Sequence, residues 1–538
     1  MKNKETEILR WYYSRGHGTL DLVSPSYTCL IKERGGPIHI YAKGSQTPDL
    51  IFYPDAGFSE KPREFTLETG DKELAGKGEQ IEFIYSCEDG VRLAITFFID
   101  RIEVKADRNG DEISPDTFYI GRGSKLYTNK VFSPSQPDFH IPVGHYLRPE
   151  TAVDLCPGLM TPAPWCFSAQ QDNSEWMGFA LEPYENELNF AGFGSAPGVG
   201  RDFCWRVIYN GCMPACESLS IPVLVMRFAM KDEFEVFERH TEHLLECGKV
   251  EKPQKIYDWH SGVSVCGWHW QRGTAPDREL YDTNLAMLDN NDIEYDIVII
   301  DDFWGDSKKH GIWKACERWQ DLREFVDNQH AKGRYVLLWV CTEGHGLPEN
   351  EMTSNQLQKI DSKEWAERLR EDAHRMLSSD PGCYNADGIK FDFTALYPTK
   401  PECSHYGVGY ILERYRMVAE AMRAVKPDAM LLNQSINPYF IKYQSAIRLN
   451  DFTALPCHGL EEMQIRGRIA RAVGMGLPID SDHVTCSTQS YEGAIDFFEQ
   501  METVGEVSLY LKESDLQTPG LLEAVQKLTK KHVLKNRK

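Results

Sequence analysis

The segment Gly388-Ile389-Lys390-Phe391-Asp392-Phe393 carries an ammonium and a carboxylate two residues apart inside an apolar run. Residues two apart on a strand face the same way. Lys390 and Asp392 therefore share one face of a segment whose composition otherwise suits a core. Other apolar runs end similarly: Asp301 and Asp302 follow Ile297-Val298-Ile299-Ile300, Arg448, Asn450 and Asp451 close the run from Ala446, and Asp480 and Asp482 precede His483. Any one such carboxylate can cap a following helix. Carboxylates at the ends of four runs that meet at one mouth need cations, a shared proton or a polyhydroxylated ligand to offset their repulsion.

Three chemistries use such a set. Two carboxyl groups can flank a sugar. Aspartates with His483 can ligate a metal, but no His-x-His or His-Glu-x-x-His spacing supports one. Phosphate chemistry needs glycine-rich amide nests or a basic cluster, and Gly474-Met475-Gly476-Leu477-Pro478 is a weak substitute. Aromatic residues favour sugar. Trp259, Trp268, Trp270, Phe303, Trp304 and Trp339 fall at or near the ends of apolar runs, where ring faces can cover the C–H face of a pyranose. Trp313 and Trp319 lie in a helix-like pattern and are expected to pack instead.

The elements that must position these groups alternate from about residue 258. Strands are expected at 262–268, 295–302, 334–340, 388–393, 429–435, 446–451, 476–482 and 506–511, with helical patterns between several of them. Eight such units over about 270 residues define a (β/α)8 TIM barrel, whose chemistry sits at the C-terminal ends of the strands. Residues 1–230 read differently. Short alternating runs punctuated by Gly, Pro, Asn and Asp predict an N-terminal antiparallel β-sandwich or supersandwich. Residues 231–257 read as a linker helix and connection, and 258–538 as the catalytic barrel.

The 538 residues carry 59 basic and 81 acidic side chains, a formal net charge of −22. This balance argues against nucleic acid or an anionic membrane as partner. The first residues contain no apolar stretch of signal-peptide type and no window resembles a membrane span, so a cytoplasmic location is expected. The 15 cysteines are read as reduced thiols. Cys212 and Cys216 lack the second pair that a zinc site needs. No cofactor or metal is expected.

With these residues in hand, the sequence resembles the α-galactosidase clan, and most of all glycoside hydrolase family 36, with family 27 and the raffinose synthases as relatives. Ile300-Asp301-Asp302-Phe303-Trp304-Gly305 resembles the family's Ile-Asp-Asp-Gly-Trp-Phe after strand two. Lys390-x-Asp392 resembles its strand-four Lys-x-Asp segment. Residues 426–435 resemble its strand-five Pro-Asp…Glu-x-Cys-Ser segment, and residues 446–455 its strand-six Trp-Thr-Ser-Asp segment. The resemblance implies an exo-acting retaining α-glycosidase, most like an α-galactosidase. Asp392 would be the nucleophile and Asp451 the acid/base, with their carboxyl groups about 5–5.5 Å apart. Lys390 would hold Asp392 ionised and donate to a sugar hydroxyl. Asp301 and Asp302 would bind the C4 and C6 hydroxyls. Arg448 would orient Asp451, meet a substrate hydroxyl or form a structural ion pair. Trp304 and Trp339 would contact substrate. Asp482 is the rival acid/base and otherwise, with Glu343, a subsite residue.

The departures concern specificity. The family's glycine-rich segment near the C2 hydroxyl is replaced by Asn433-Gln434-Ser435-Ile436-Asn437-Pro438, and strand six lacks the tryptophan. A C-terminal β-domain is not expected after strand eight. A small α-linked carbohydrate is the expected partner, and homo-oligomerisation is left open. Transglycosylation in the manner of a raffinose synthase, or sugar binding without turnover, are the alternatives.

Overall fold

The computed structural model describes residues 8–14, 18–32, 36–59, 61, 65–69, 75–128, 130–132, 146–147, 166–171, 174–190, 192–197, 202–211, 213–271, 277–305, 313–341, 347–449, 459–481, 500–501 and 503–534. Asp451, Asp482, His483, Glu343 and Cys212 lie outside the described residues. Among those described, the cysteines are free thiols. No described helix is long and apolar enough to cross a membrane.

Among the described residues, the N-terminal region forms two antiparallel sheets of ten and nine strands. Alternation drives them. Along Tyr27–Lys32 and Ile38–Ala42 every second side chain is buried, the signature of a strand with one face on a core. Tyr27 of the first sheet stacks on Phe228 of the second, ring centroids 4.4 Å apart. Trp205 is fully buried against Phe167, Phe179 and Phe203. The longest strand, Cys216–Met230, lies inside the second sheet. It leads into the helix Glu235–Glu246. There Glu182 accepts a hydrogen bond from Arg227 at 3.1 Å and meets His243 at 3.0 Å.

The barrel strands are β1 (Ser264–Cys266), β2 (Ile297–Ile300), β3 (Tyr335–Cys341), β4 (Gly388–Asp392), β5 (Met430–Asn433), β6 (Ala446–Arg448), β7 (Ile479–Asp480) and β8 (Ser508–Leu509). All pair in parallel, and β8 joins β1. A parallel bridge between Asp480 and Glu506 links β7 to the segment entering β8. The eight expected strands are thus present, β3 at its expected length but one residue later and the others shorter than their runs. The helices differ more. Trp313 lies in irregular chain, and the helix expected from it begins at Leu322. Between β5 and β6 there is no α-helix but a single 3-10 turn, Ile441–Tyr443. Only twelve residues span that gap, Pro438 interrupts them, and Asn437 Oδ1 accepts the Tyr439 N–H in a local turn.

Inward-facing Cys266, Ile297, Ile299, Leu337, Met430, Leu432, Ala446 and Tyr510 form one cluster inside the barrel. Trp259 closes it at the N-terminal end, stacked 4.2 Å from Tyr335, the first residue of β3. This corrects the expectation for Trp259: it plugs the barrel's floor, opposite the mouth. Gly388 is required at the start of β4, because a Cβ there would stand 2.1 Å from the Met430 carbonyl oxygen.

The two domains share backbone hydrogen bonds. Helix Gly407–Val425 follows β4, and its first N–H groups need acceptors. Val408 N–H donates to the Phe190 carbonyl at 3.1 Å and Gly409 N–H to the Leu188 carbonyl at 2.9 Å. Tyr439 donates its hydroxyl to the Pro183 carbonyl.

The β7–β8 closure carries a pH signature. Burial, then the charge of Asp480, push Glu506 from an ordinary 4.5 up to about 7, against Arg471. The folded chain therefore holds a proton that the unfolded chain releases above about pH 4.5. The stabilisation is complete below that pH and is lost as pH rises through about 7. Its size is at most about 3 kcal/mol, reduced by solvent screening. Urea melts at pH 5 and pH 8 are expected to show the wild type losing stability with rising pH and Glu506→Gln losing clearly less. Equal slopes would refute the assignment.

Candidate active site

The mouth is built in two layers. In the deeper layer, Lys390 Nζ of β4 lies 2.6 Å from Asp301 Oδ2 at the end of β2. It is also 3.7 Å from Cys266 Sγ on β1 and 3.5 Å from the Tyr510 hydroxyl after β8. Cys266 donates its S–H to the same Asp301 oxygen at 2.8 Å. Asp301 Oδ1 accepts the Asp302 N–H, and the Asp301 N–H donates to the Tyr281 hydroxyl at 3.0 Å. Gly267 makes room for that tyrosine, since a Cβ would stand 2.1 Å from its hydroxyl.

Burial sets the charges in this layer. It pushes the Asp301 carboxyl upward, but the Lys390 charge and the hydrogen bonds from Cys266, Lys390 and Asp302 outweigh it and hold the group below the usual carboxylate range. Burial likewise disfavours the Lys390 cation, and Asp301 more than offsets this, leaving the ammonium well above its usual range. Burial, helped by the Asp301 charge, keeps the Cys266 thiol protonated. Asp480 lies one layer below, where its Oδ2 accepts from Ser264 Oγ at 3.3 Å.

The upper layer holds Asp392. Its Oδ2 accepts the Trp339 indole N–H at 3.0 Å, and its Oδ1 accepts the Phe393 N–H at 2.9 Å. Arg448 Nη1 of β6 forms an ion pair with Oδ1 at 3.2 Å. The arginine is buried, whereas the Asp392 side chain keeps 14 % of its surface exposed. Asp302, also partly exposed, accepts the Phe303 N–H at 2.6 Å. The same local device thus occurs twice, an aspartate taking the amide of the phenylalanine after it. Phe303 (φ 70°) and Phe393 (φ 52°) both occupy the left-handed region, costly for an aromatic residue and concentrated at functional sites.

Two expectations are corrected. Lys390 serves Asp301, not Asp392; the cation beside Asp392 is Arg448. Trp304 is fully buried, donates its indole N–H to the Trp339 carbonyl at 2.7 Å, and has no face left for a ligand. Trp313 packs, as expected, though from irregular chain and not from a helix: its ring meets Trp339 edge-on at 6.2 Å, behind the Asp392 clamp. Among the described residues near the strand ends, the exposed aromatic surfaces are Trp268, after β1, and Phe393, after β4. Trp270 is buried, its indole N–H on the Leu511 carbonyl at 2.7 Å. The roles of Cys266, Tyr281 and Tyr510 were not read from the sequence. Two-residue alternation in Ser264-Val265-Cys266 and Ser508-Leu509-Tyr510 was the available signal.

The fold and this mouth place the chain among two-domain proteins in which a β-sandwich precedes a TIM barrel with a carboxylate-lined mouth. Solved structures give the particular likeness. The α-galactosidase from Lactobacillus brevis matches with a TM-score of 0.52 and 11% identity, over 97% of this chain and 84% of that one. A GH36 α-galactosidase variant from Geobacillus stearothermophilus, in complex with stachyose, gives 0.55 and 12% over 96% and 86%. A β-arabinopyranosidase gives 0.55 and 10% over 98% and 85%. At these identities the likeness is one of fold. No family model matches the sequence, and no curated protein matches it.

Proposed function

We propose that the chain is an exo-acting retaining α-glycosidase of α-galactosidase type. The observation that carries this reading is the clamped Asp392. An approachable carboxylate, oriented by an indole N–H, a backbone N–H and a guanidinium, stands above a buried ionic floor at the C-terminal end of a barrel. Its oxygen would attack the anomeric carbon while the bond to the leaving oxygen breaks, and Asp451 would give that oxygen its proton. Asp451 would then take a proton from water, which releases the sugar from Asp392 with net retention. Asp302 would accept hydrogen bonds from sugar hydroxyls, and Lys390 and Asp301 would form the floor beneath the ring. Solved structures of the same fold include α-galactosidases, and one holds stachyose, which supports an oligosaccharide substrate. Asp482 keeps its place as rival acid/base.

The test is intact-protein mass spectrometry with cyclophellitol-type and 2-deoxy-2-fluoro glycosyl probes, followed by peptide mapping. The panel includes α-galactosyl and β-L-arabinopyranosyl configurations, which differ at C6. A single adduct on the peptide containing Asp392 is expected. An adduct on another carboxylate would reassign the nucleophile, and a folded protein silent to every probe would sink the reading.

A further inference from the structure

A second concave surface lies far along the sequence from the barrel. It is a groove of about 730 Å³ between the turn at Asp89-Gly90, the end of the strand Arg101–Ile113 and the start of the strand Thr117–Leu126. Every residue lining it belongs to the β-sandwich domain, and its size falls in the range of ligand sites, roughly 300–1,000 Å³.

Its chemistry is mixed in a specific way. Phe58 and Tyr119 are half-buried in its wall, so each offers part of a ring. Asp89, Asp111 and Asp116 stand at its exposed rim against the single cation Arg108. Three carboxylates to one guanidinium repel an anion and offer acceptors to hydroxyl groups. Arg108 is itself only 5 % exposed, and its Nε has no hydrogen-bond partner. The described bond of its guanidinium runs from Nη1 to the Glu217 carbonyl at 3.3 Å. Gly110 leaves room beside that guanidinium, because a Cβ there would stand 3.0 Å from Nη2. Nε itself is covered, so a hydroxyl group in the groove would meet the guanidinium through Nη2 and offset part of the cost of burying an incompletely satisfied cation.

The groove is also preformed. Asp89 and Gly90 both take positive φ, 62° and 74°. A Cβ on Gly90 would stand 2.0 Å from the Asn109 carbonyl oxygen, so the turn is seated directly on the neighbouring strand. A rigid concavity loses little ordering entropy on binding.

We infer that this groove is a second saccharide site, taking a neutral sugar with a ring face against Tyr119 and Phe58 and hydroxyl groups on the aspartates and Arg108. The inference goes beyond the catalytic reading and does not depend on it.

The test is calorimetric titration of the full-length protein with raffinose, on an Asp392→Asn background that prevents turnover. Tyr119→Ala and, separately, the exposed and milder Asp111→Asn are compared with the unaltered groove. The expected result is a binding event weakened about tenfold or more by Tyr119→Ala and measurably by Asp111→Asn. Thermal melts should be unchanged, and so should any binding at the barrel mouth. Sulfate should not compete. Isotherms identical in all three proteins would overturn the inference. So would displacement of raffinose by sulfate, which would mark an anion site. A protein without glycosidase activity would still give the groove's isotherm, so the two readings fail separately.

Discussion

Replacing Asp392 by Ala is expected to lower kcat on an activated aryl α-galactoside by roughly 10^3–10^5-fold, with the fold retained. The side chain is partly exposed and ends a strand, so its removal leaves the deeper Lys390–Asp301 layer in place, while Trp339 and the buried Arg448 each lose one partner. Added azide provides the sharper readout. The vacated space beneath the anomeric carbon can admit a small anion, whose nitrogen attacks that carbon as the aryloxide departs. The product is a β-glycosyl azide, formed at a rate that rises with azide concentration. Azide rescue with inversion identifies a lost nucleophile. Rescue giving the α-azide, or a loss below about tenfold, would assign Asp392 another role. Arg448→Lys in the wild-type background should lower kcat more than it raises KM. The shorter cation would orient the attacking oxygen less well without altering the sugar's own contacts.

Lys390→Met should be among the most destabilising single changes in the barrel. Lys390 and Asp301 are each 2 % exposed in their side chains. Removing the ammonium strands a buried carboxylate that the cation holds below its usual pKa range, against the pull of burial. Breaking a buried pair in this way costs about 3–5 kcal/mol, whereas replacing both partners with apolar residues is often close to neutral. The double variant Lys390→Met with Asp301→Leu is therefore expected to recover most of the lost stability in urea melts. Activity separates the two roles this pair can play. If it lines the sugar's floor, the double variant stays poor in kcat/KM although it is stable. If the pair is purely architectural, activity returns with stability.

The eight barrel strands were legible as short, mostly apolar runs, several of them unbroken like Ile297–Ile300, along which side chains alternate between two faces. That alternation also correctly puts Lys390 and Asp392 on one face. Which neighbour each would meet was not legible. Lys390 reaches Asp301 across the intervening β3, and Asp392 reaches Trp339 on β3 and Arg448 on β6. Those meetings depend on strand stagger around a closed barrel, a property of the whole sheet that no single strand carries. Proximity in sequence suggested that Lys390 and Asp392 serve each other. In the barrel, two residues along a strand is a change of layer. Trp304 misled for a related reason. Its position after β2 is at the mouth, but the left-handed turn at Phe303 accompanies a ring buried behind Trp339. The helix missing between β5 and β6 was signalled by Pro438 and a twelve-residue gap, and the regular βα rhythm obscured it.

The carbonyl groups of Leu188 and Phe190, which receive the first amides of the helix after β4, bear on the order in which the chain is made. Ribosomal synthesis runs from the N-terminus, and domains generally fold as units as they emerge. The acceptors thus exist some two hundred residues before their donors leave the exit tunnel. The sandwich is then a docking template already in place when the Asp392 strand and its helix arrive. A barrel segment synthesised by itself would have to close without that template, and the sandwich would in this sense serve as an intramolecular folding aid.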